Sequence, residues 1–196
     1  ITDLKILGLE ASFNPMISDN IKQELKTHFF HYQMVTTKIL LDNGADITTV
    51  DNYGYSLPTY VIRSDNLKNL QYLIKRGMNL KESTPGGSSL MHTAALNGNV
   101  DILEFLLKSG FNVDERMLDG ETPLMTAVWY GNVSTVDYLI KNGANVNAMK
   151  RTPYNPQGES VLDWAVHRIN SENDNSYLII YELLVQAGAK INGFCI

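Results

Sequence analysis

The residues best suited to acid–base or metal chemistry are four histidines scattered along the chain. They are His28, His31, His92 and His167, and none belongs to an HExxH motif. The single cysteine, Cys195, has no second thiol with which to form a pair of metal ligands. His28 and His31 would share one helix face and could in principle bind a metal, but solvation at the surface is the favoured interpretation. The sequence therefore predicts no metal site and no cofactor.

Other stretches that look like catalytic or modification motifs are better explained as turns. Every serine lies at a predicted turn or helix start, so no Ser-His-Asp arrangement can be inferred. The TPGGSS stretch, Thr84 to Ser89, is rich in glycine, but it lacks the Gly-Lys-Ser/Thr of a phosphate loop and follows no buried strand. Asn132-Val-Ser spells an N-glycosylation triplet but lies in a predicted tight turn. An enzyme in its own right is therefore disfavoured.

The composition is that of a globular chain without a basic patch. Of 196 residues, 44% are hydrophobic and 19% are charged, and the formal net charge is −5 with no cluster of lysine and arginine. Binding to nucleic-acid phosphates is therefore disfavoured, and so is an acidic partner surface. No apolar run reaches the ~18 to 20 residues that a membrane span needs. The expected partner is neither a nucleic acid nor a membrane.

Cysteine usage gives a weak indication of compartment. A single cysteine cannot form an intrachain disulfide, which favours a reducing compartment such as the cytoplasm. No succession of charged, apolar and small residues marks a signal peptide. The chain begins with Ile rather than Met, so removal of a segment, and with it an exported or host-delivered protein, stays open.

Glycines recur at a fixed interval along most of the chain, and such a period is the sequence signature of repeat architectures. One set of glycines is expected to close each unit and a second set to open it. The closing set is Gly44, Gly77, Gly110 and Gly143, each 33 residues after the last, and the opening set is Gly54, Gly87 and Gly120, at the same interval.

The unit over residues 118–147 shows the predicted elements most clearly. Two apolar-periodic runs separated by Gly131-Asn132 predict two helices joined by a tight turn. Thr122 is suited to cap the first helix, because its hydroxyl can accept from backbone N–H groups that have no intrahelical partner, and Pro123 suits the first helical position. Gly143 suits the left-handed conformation that ends the second helix.

This unit resembles the ankyrin repeat, whose pattern runs G-x-T-P-L-H-x-A-A, then G-N or G-H, then I-V-x-x-L-L-x-x-G-A-D-V-N. One repeat matches the pattern at Gly120, Thr122, Pro123, Leu124, Ala127, Gly131, Leu139, Gly143, Ala144, Val146 and Asn147, and the preceding repeat matches at Gly87, His92, Ala94, Ala95, Gly98, Asn99, Ile102, Leu106, Leu107 and Gly110. The resemblance implies an all-α fold, a right-handed solenoid of about five helix-turn-helix repeats joined by β-hairpin-like fingers. It also implies a structural hydrogen-bonding role for His92 at a helix start.

The repeat spacing divides the chain into an irregular N-terminal segment and an ankyrin repeat domain. Residues 1–18 do not fit the repeat and are interpreted as an irregular segment or a remnant of an upstream unit. The last repeat carries two insertions, one between Met149 and Gly158 that lengthens a hairpin finger, and a polar one, Asn170 to Ser176, between its helices. The domain spans 19–196, with repeats at 19–50, 51–83, 84–116, 117–149 and 150–196.

Helical periodicity sorts the residues of each first helix into a buried and an open side. In the helix that follows Thr122, Leu124, Ala127 and Val128 share the buried face, which leaves Thr126, Trp129 and Tyr130 on the other side. The 33-residue shift places Thr93, Leu96 and Asn97, and one repeat earlier Tyr60, Arg63 and Ser64, on the same side. A 38-residue shift adds Trp164, His167 and Arg168, although packing is the favoured role for Trp164.

In the ankyrin family these first helices and the hairpin tips line a concave groove that binds other proteins. The resemblance therefore implies a non-catalytic, monomeric protein-interaction module with a protein partner. The alternative is a substrate-targeting domain of a larger enzyme or secreted effector whose catalytic part lies outside this chain, since the last predicted helix has no evident polar cap. The expected partner contacts are Tyr53, Tyr55, Tyr60, Arg63, Leu96, Asn97, Trp129, Tyr130, Tyr154, His167 and Arg168.

Overall fold

Four helix pairs and one β-hairpin make up the part of the chain that the computed structural model describes, residues 55–78, 80, 86–172 and 174–192. The first helix of each pair is called inner and the second outer. The pairs are α1 (Leu57–Arg63) with α2 (Leu67–Lys75), α3 (Leu90–Asn97) with α4 (Val100–Lys108), α5 (Pro123–Trp129) with α6 (Val133–Lys141), and α7 (Val161–Ser171) with α8 (Ser176–Gln186). The hairpin, β1 (Met149–Thr152) and β2 (Asn155–Ser160), precedes α7. Predictions outside the described residues concern the segment 1–18, the repeat 19–50, His28, His31, Tyr53, Gly54 and Cys195.

The inner helices begin where the sequence places hydroxyl side chains. Thr122 Oγ1 accepts from the N–H of Met125, and Pro123 occupies the first turn of α5, as predicted. Ser160 and Asp163 form a capping box at the start of α7, in which each side chain satisfies a backbone N–H of the other. These caps fix the first turn of each helix, and with it the direction in which the remaining side chains point.

The outer helices end at glycines in the left-handed conformation, as predicted. The predicted closing glycines Gly77, Gly110 and Gly143 have φ between +85° and +89°, and Gly188, which closes α8, has φ +84°. At Gly143 an added Cβ would meet no atom within 4 Å, so the backbone conformation alone selects glycine there.

The core lies between the inner and outer helices and between neighbouring pairs. The inner helices α1, α3, α5 and α7 pack on one another in chain order, and the outer helices α4, α6 and α8 are in contact in the same order. Leu106 and Leu139 are fully buried, which confirms the predicted register of α4 and α6. An all-α repeat fold is thereby confirmed.

The predicted open side of α5 is wrong for Thr126. This residue is buried, and its hydroxyl donates to Glu121 Oε1 at 2.9 Å, with the carbonyl of Thr122 as the alternative acceptor at 3.3 Å. Helix α5 packs against α3, α6 and α7, so helix neighbours cover it on more than one face. A single buried face, which the periodicity argument assumes, holds only for a helix at the surface.

The insertion between Met149 and Gly158 forms the hairpin that the sequence predicts. Its register pairs Met149 with Ser160 and Thr152 with Asn155, with an irregularity between Lys150 and Thr152. The N–H of Arg151 donates to the carbonyl of Asp119 at 2.8 Å, which joins this finger to the preceding one. The second insertion is partly helical, because α7 runs through Ser171 and has 11 residues where α5 has 7.

Candidate partner-binding surface

The inner helices carry large apolar side chains that solvent reaches. Tyr60 on α1, Leu96 on α3, and Trp129 and Tyr130 at the end of α5 are all exposed, with Trp129 at 37% and Tyr130 at 53%. The four side chains, called the row below, lie on three inner helices that are neighbours in the stack; Leu96 and Trp129 occupy equivalent positions, and Tyr60 lies about one turn nearer the start of its helix. The predicted exposure of Trp129 and Tyr130 is confirmed.

Trp129 is held in place by contacts with residues of α7. Its ring meets Trp164 edge to face, with centroids 5.3 Å apart, and lies nearly parallel to the His167 ring at 6.1 Å. Arg168 places its guanidinium carbon 4.9 Å from the centre of the Trp129 ring. Three residues of α7 therefore fix the orientation of an aromatic side chain that is still partly exposed.

Trp164 is buried, which confirms the packing role expected of it. Its indole N–H donates to Glu159 Oε2 at 2.7 Å, so the polar end of the buried ring is satisfied. Lys150 Nζ lies 4.9 Å from the centre of the same ring. The ring that packs against Trp129 is thus itself held by residues of the finger and of β2.

Lys150 is held at the base of the finger by two carboxylates. Its Nζ lies 2.7 Å from Glu121 Oε2 and 3.0 Å from Asp119 Oδ2. Burial opposes the charge on Lys150, but the hydrogen bonds to Glu121 and Asp119 outweigh it and raise the pKa of the ammonium group. Burial likewise opposes the charge on Asp119, and the backbone N–H of Glu121 together with Lys150 outweighs it and lowers the pKa of that carboxyl. Lys150 is therefore committed to the repeat junction, whereas Tyr154 at the hairpin turn is 98% exposed.

Arg168 is surrounded by partners within the chain. Its Nε and Nη2 donate to the hydroxyl of Tyr177 at 3.1 and 2.7 Å, and Nη1 lies 3.3 Å from Glu172 Oε1. The Tyr177 hydroxyl in turn donates to the carbonyl of Trp129 at 3.2 Å. The structure therefore gives Arg168 a positioning role for Trp129, and a partner contact by Arg168 stays a prediction.

Two asparagines tie neighbouring repeats together beneath this row. The side-chain amide of Asn97 donates to the carbonyl of Ile62 at 2.9 Å, and Asn132 donates to the carbonyls of Ala95 and Leu96 at 2.8 Å each. In both cases a polar side chain donates to carbonyls at the end of the preceding inner helix, where the regular helical hydrogen bonds stop. Asn97, predicted as a partner contact, thus has a structural bond as well.

A second aromatic group lies at the first described repeat. The rings of Tyr55 and Tyr60 meet edge to face with centroids 6.4 Å apart, and the Arg63 guanidinium carbon is 6.0 Å from the centre of the Tyr55 ring. Beside it, an open polar cleft of about 520 Å³ is lined by residues of two successive turns, among them Arg63, Asp65, Asn97 and Asp101. Burial, and secondly the charge of Asp101, raise the pKa of Asp65.

His92 has the structural role that the family resemblance implies. The N–H of Ser89 donates to His92 Nδ1 at 3.2 Å, which leaves Nε2 as the protonated nitrogen that donates to the carbonyl of Glu121 at 3.1 Å. Burial lowers the pKa of this imidazole, against a smaller raising effect of its bond to Glu121. His92 therefore links two repeats in its neutral form. No group of three or more metal-ligating side chains occurs among the described residues, and none of the described helices is long and apolar enough to span a membrane.

Several residues that hold the exposed aromatics in place were not predicted from the sequence. Tyr177 lies 48 residues from Trp129 and follows the irregular insertion, so the regular 33-residue interval does not point to it. Glu121 and Glu159 form bonds between the fingers and the helices that no periodicity encodes. Only Asn132, in the Gly-Asn turn of the repeat pattern, carried a recognisable signal.

Comparison with known families agrees with this architecture. A family model described as ankyrin repeats (3 copies) matches residues 31–117, 60–150 and 112–194. These matches cover well over half of the chain, so the protein belongs to the ankyrin repeat family. Ankyrin repeats are generally protein–protein interaction modules and are typically non-catalytic. A search of curated proteins finds no match.

Proposed function

We propose that this protein binds another protein, without catalysis, through the surface formed by the ends of its inner helices. The observation that carries the proposal is the arrangement of Trp129 and Tyr130, two adjacent exposed aromatics at the centre of the described repeats. Aromatic side chains at protein surfaces are the residues most often found at the energetic centre of interfaces.

Preorganisation supports Trp129 as the principal anchor. Its ring is already oriented by Trp164, His167 and Arg168, so little side-chain entropy remains to be lost when a partner covers it. Tyr130 is more exposed and adds a hydroxyl that can hydrogen-bond to the partner. Together they provide apolar contact area and one directional polar group.

The remaining proposed contacts surround this centre. Leu96 extends it towards α3, Tyr60 and Arg63 towards α1, and His167 towards α7, in the order in which these helices pack. The full proposed set of partner contacts is Tyr53, Tyr55, Tyr60, Arg63, Leu96, Asn97, Trp129, Tyr130, Tyr154, His167 and Arg168. Arg168 and Asn97 would act chiefly by holding their neighbours in place.

We propose that the surface is the concave groove of a right-handed solenoid of about five repeats, and that the chain binds as a monomer. Its partner is a protein rather than a nucleic acid or a membrane; a net charge of −5 and a sequence without a cluster of lysine and arginine disfavour binding to phosphates. The repeat architecture favours this assignment, since stacked repeats create extended concave binding surfaces.

Site-specific photo-crosslinking tests this proposal. A photoreactive phenylalanine placed at Tyr130, or in a second sample at Leu96, should crosslink to a protein partner in cells. The matched control is the same amino acid at Ile179, which is also exposed but lies on the outer helix α8. Crosslinks from residue 179 and none from residues 96 and 130 would place the partner on another surface.

A further inference from the structure

The last helix pair can be compared position by position with the pairs before it. Aligning the opening glycines Gly120 and Gly158 pairs α5 with α7, and aligning the closing glycines Gly143 and Gly188 pairs α6 with α8. The earlier repeats are related by the 33-residue interval. The burial of each residue of α7 and α8 can therefore be compared with that of up to three residues at the same position in earlier repeats.

Two positions that are fully buried in the earlier helix pairs are only half-buried in the last pair. Val166 on α7 is only half-buried, whereas its equivalents Ile62, Ala95 and Val128 are fully buried. Tyr181 on α8 is likewise half-buried, while Leu70, Leu103 and Val136 at the same position are fully buried. The side of the pair that faces away from α5 and α6 is therefore open among the described residues.

Three apolar side chains on this open side are exposed outright. They are Leu178 at 49%, Val185 at 46% and Ile191 at 53%, and we call them, with Val166 and Tyr181, the terminal face. Their equivalents in earlier repeats are apolar and half-buried or buried. They are Leu67, Val100 and Val133 for the first, Ile74, Leu107 and Ile140 for the second, and the buried Leu80 with the half-buried Val113 and Val146 for the third. The terminal face therefore has apolar residues at positions that the next repeat covers in the earlier pairs, but here no described residue covers them.

Ile179 does not belong to this face, although it is also exposed. Its equivalents Lys68, Asp101 and Ser134 are polar and exposed in every earlier pair. The position therefore faces solvent even where a following repeat is present. Ile179 is a natural control for Leu178, its neighbour on the same helix.

The hairpin also lacks, among the described residues, the backbone hydrogen bond that joins each earlier finger to the next one. The carbonyl of Gly86 accepts from the N–H of Leu118 at 3.3 Å, and one repeat later the carbonyl of Asp119 accepts from the N–H of Arg151 at 2.8 Å. The equivalent carbonyl in the last repeat belongs to Gln157, and the side chain of Asn192 donates to it at 3.4 Å. No backbone N–H of a following finger reaches it among the described residues.

The course of the chain leads to this junction. The N–H of Asn192 donates to Asp163 Oδ1 at 3.2 Å, and its side chain donates to the carbonyl of Gly158 at 3.0 Å. The equivalent residue one repeat earlier is Asn147, after which β1 begins at Met149. The polypeptide therefore leaves Asn192 beside the open edge of β2, where a further finger would begin.

We propose that the terminal face is a repeat-stacking interface, covered in the natural protein by a further helix pair and finger supplied by the polypeptide that follows residue 196. Its inner helix would pack small and apolar side chains on Val166, and its outer helix would cover Leu178, Tyr181 and Val185. The interface continues the one that already joins α5 and α6 to α7 and α8. This proposal does not depend on the groove being the partner-binding surface.

A fused repeat tests whether the face accepts a neighbour in register. One consensus ankyrin repeat is appended to the 196-residue chain, with its opening glycine placed after Gly188 by the interval that separates Gly110 from Gly120. Hydrogen exchange of the amides in α7 and α8 is expected to slow at least tenfold relative to the unfused chain. No slowing would show that the face does not stack, and would overturn the proposal.

Substitutions separate stacking from a general effect of the added domain. Leu178→Lys with Val185→Lys in the fused chain should remove the slowing, whereas Ile179→Lys should keep it. Because all three side chains are exposed in the chain as it stands, the unfused variants should melt close to wild type, which serves as the folding control. Equal loss of protection with Ile179→Lys would contradict the assignment of the face.

The source of the covering segment is tested on the protein purified from its natural source. Mass spectrometry of its C-terminal peptides should find sequence beyond Ile196 that encodes another helix pair. A natural chain that ends at Ile196 would overturn the proposal. So would dimerisation of that chain, measured by analytical ultracentrifugation and abolished by Leu178→Lys with Val185→Lys, because a second copy would then be the occupant.

Discussion

Two glycines with the same backbone conformation but different surroundings give the sharpest test of the repeat junction. Gly143 has φ +85° and Gly120 has φ +88°, so replacing either by Ala forces an L side chain into the left-handed region. That conformation should cost about 1 kcal/mol in each variant. At Gly143 nothing lies within 4 Å of the added Cβ, so the cost should stop there.

At Gly120 the same substitution meets the following finger. The added Cβ would lie 2.9 Å from the backbone carbonyl of Met149, which real Cβ contacts do not tolerate, so the finger must shift. A shift there strains the bond from the Arg151 N–H to the Asp119 carbonyl, and overpacking of this kind costs about 1 to 3 kcal/mol more. Gly120→Ala should therefore lower the free energy of unfolding by about 2 to 4 kcal/mol in urea titrations. Equal losses for the two variants would refute the close approach of the finger to Gly120.

Three further predictions concern the core, a titrating residue and the finger. Leu106→Ala and Leu139→Ala should each lower the free energy of unfolding by about 2 to 5 kcal/mol, and losses under ~0.5 kcal/mol in denaturant titrations would contradict the helix register. Burial lowers the pKa of His92 in the folded protein below the unfolded-state value of about 6.5. The neutral His92 side chain should therefore contribute fully to the free energy of unfolding above pH ~6.5, and this contribution should decline as the pH falls below 6.5 through the folded-state pKa. His92→Gln, whose amide oxygen can still accept from the Ser89 N–H, should reduce the difference in unfolding free energy between pH 8 and pH 5, and an unchanged difference would show that other groups titrate. Deleting residues 152–156, which keeps Lys150 and its ion pairs, should leave the melting temperature nearly unchanged while weakening partner binding, whereas loss of folding would make the finger structural.

The repeat framework was predictable because it rests on local rules. Thr122 and Gly143 act through the backbone of their own helix ends, so a single sequence is enough to place them. The recurrence of such signals at one interval then predicts that neighbouring units stack. Burial of Leu106 and Leu139 followed from that register and is confirmed.

The parts that failed depend on neighbours that periodicity does not include. Thr126 is buried because α5 has a helix on either side of it in the stack, which a single amphipathic face cannot describe. The surroundings of Arg168 were not predictable either, because its donors are directed to Tyr177 on α8 and to Glu172 in the insertion; its contact with a partner stays a prediction. Long side chains such as arginine have several staggered conformers, and only the packed surroundings select one of them.

The insertion from Asn170 to Ser176 shows the same limit for secondary structure. Its polar composition predicted a connection between helices, yet α7 continues through Ser171. A polar stretch that follows a packed helix can extend it by a turn, because the preceding turns supply the carbonyl acceptors. Glycine spacing and composition therefore placed the insertion in the chain but not the end of the helix.

Partner affinity of the Trp129→Ala variant tests the central proposal most directly. The partner identified by crosslinking is titrated against wild type, Trp129→Ala, Tyr130→Ala and the control Ile179→Ala, with circular dichroism and melting temperature recorded for each. Truncating an aromatic anchor costs about 2 kcal/mol or more, so Trp129→Ala should bind at least about thirtyfold more weakly at near-native helix content, while Ile179→Ala binds as wild type. Since Trp129 also contacts Trp164 and His167, Tyr130→Ala gives a second test at an exposed side chain, with an expected loss of at least about threefold. Folded Trp129→Ala and Tyr130→Ala variants that both bind as wild type would contradict the account.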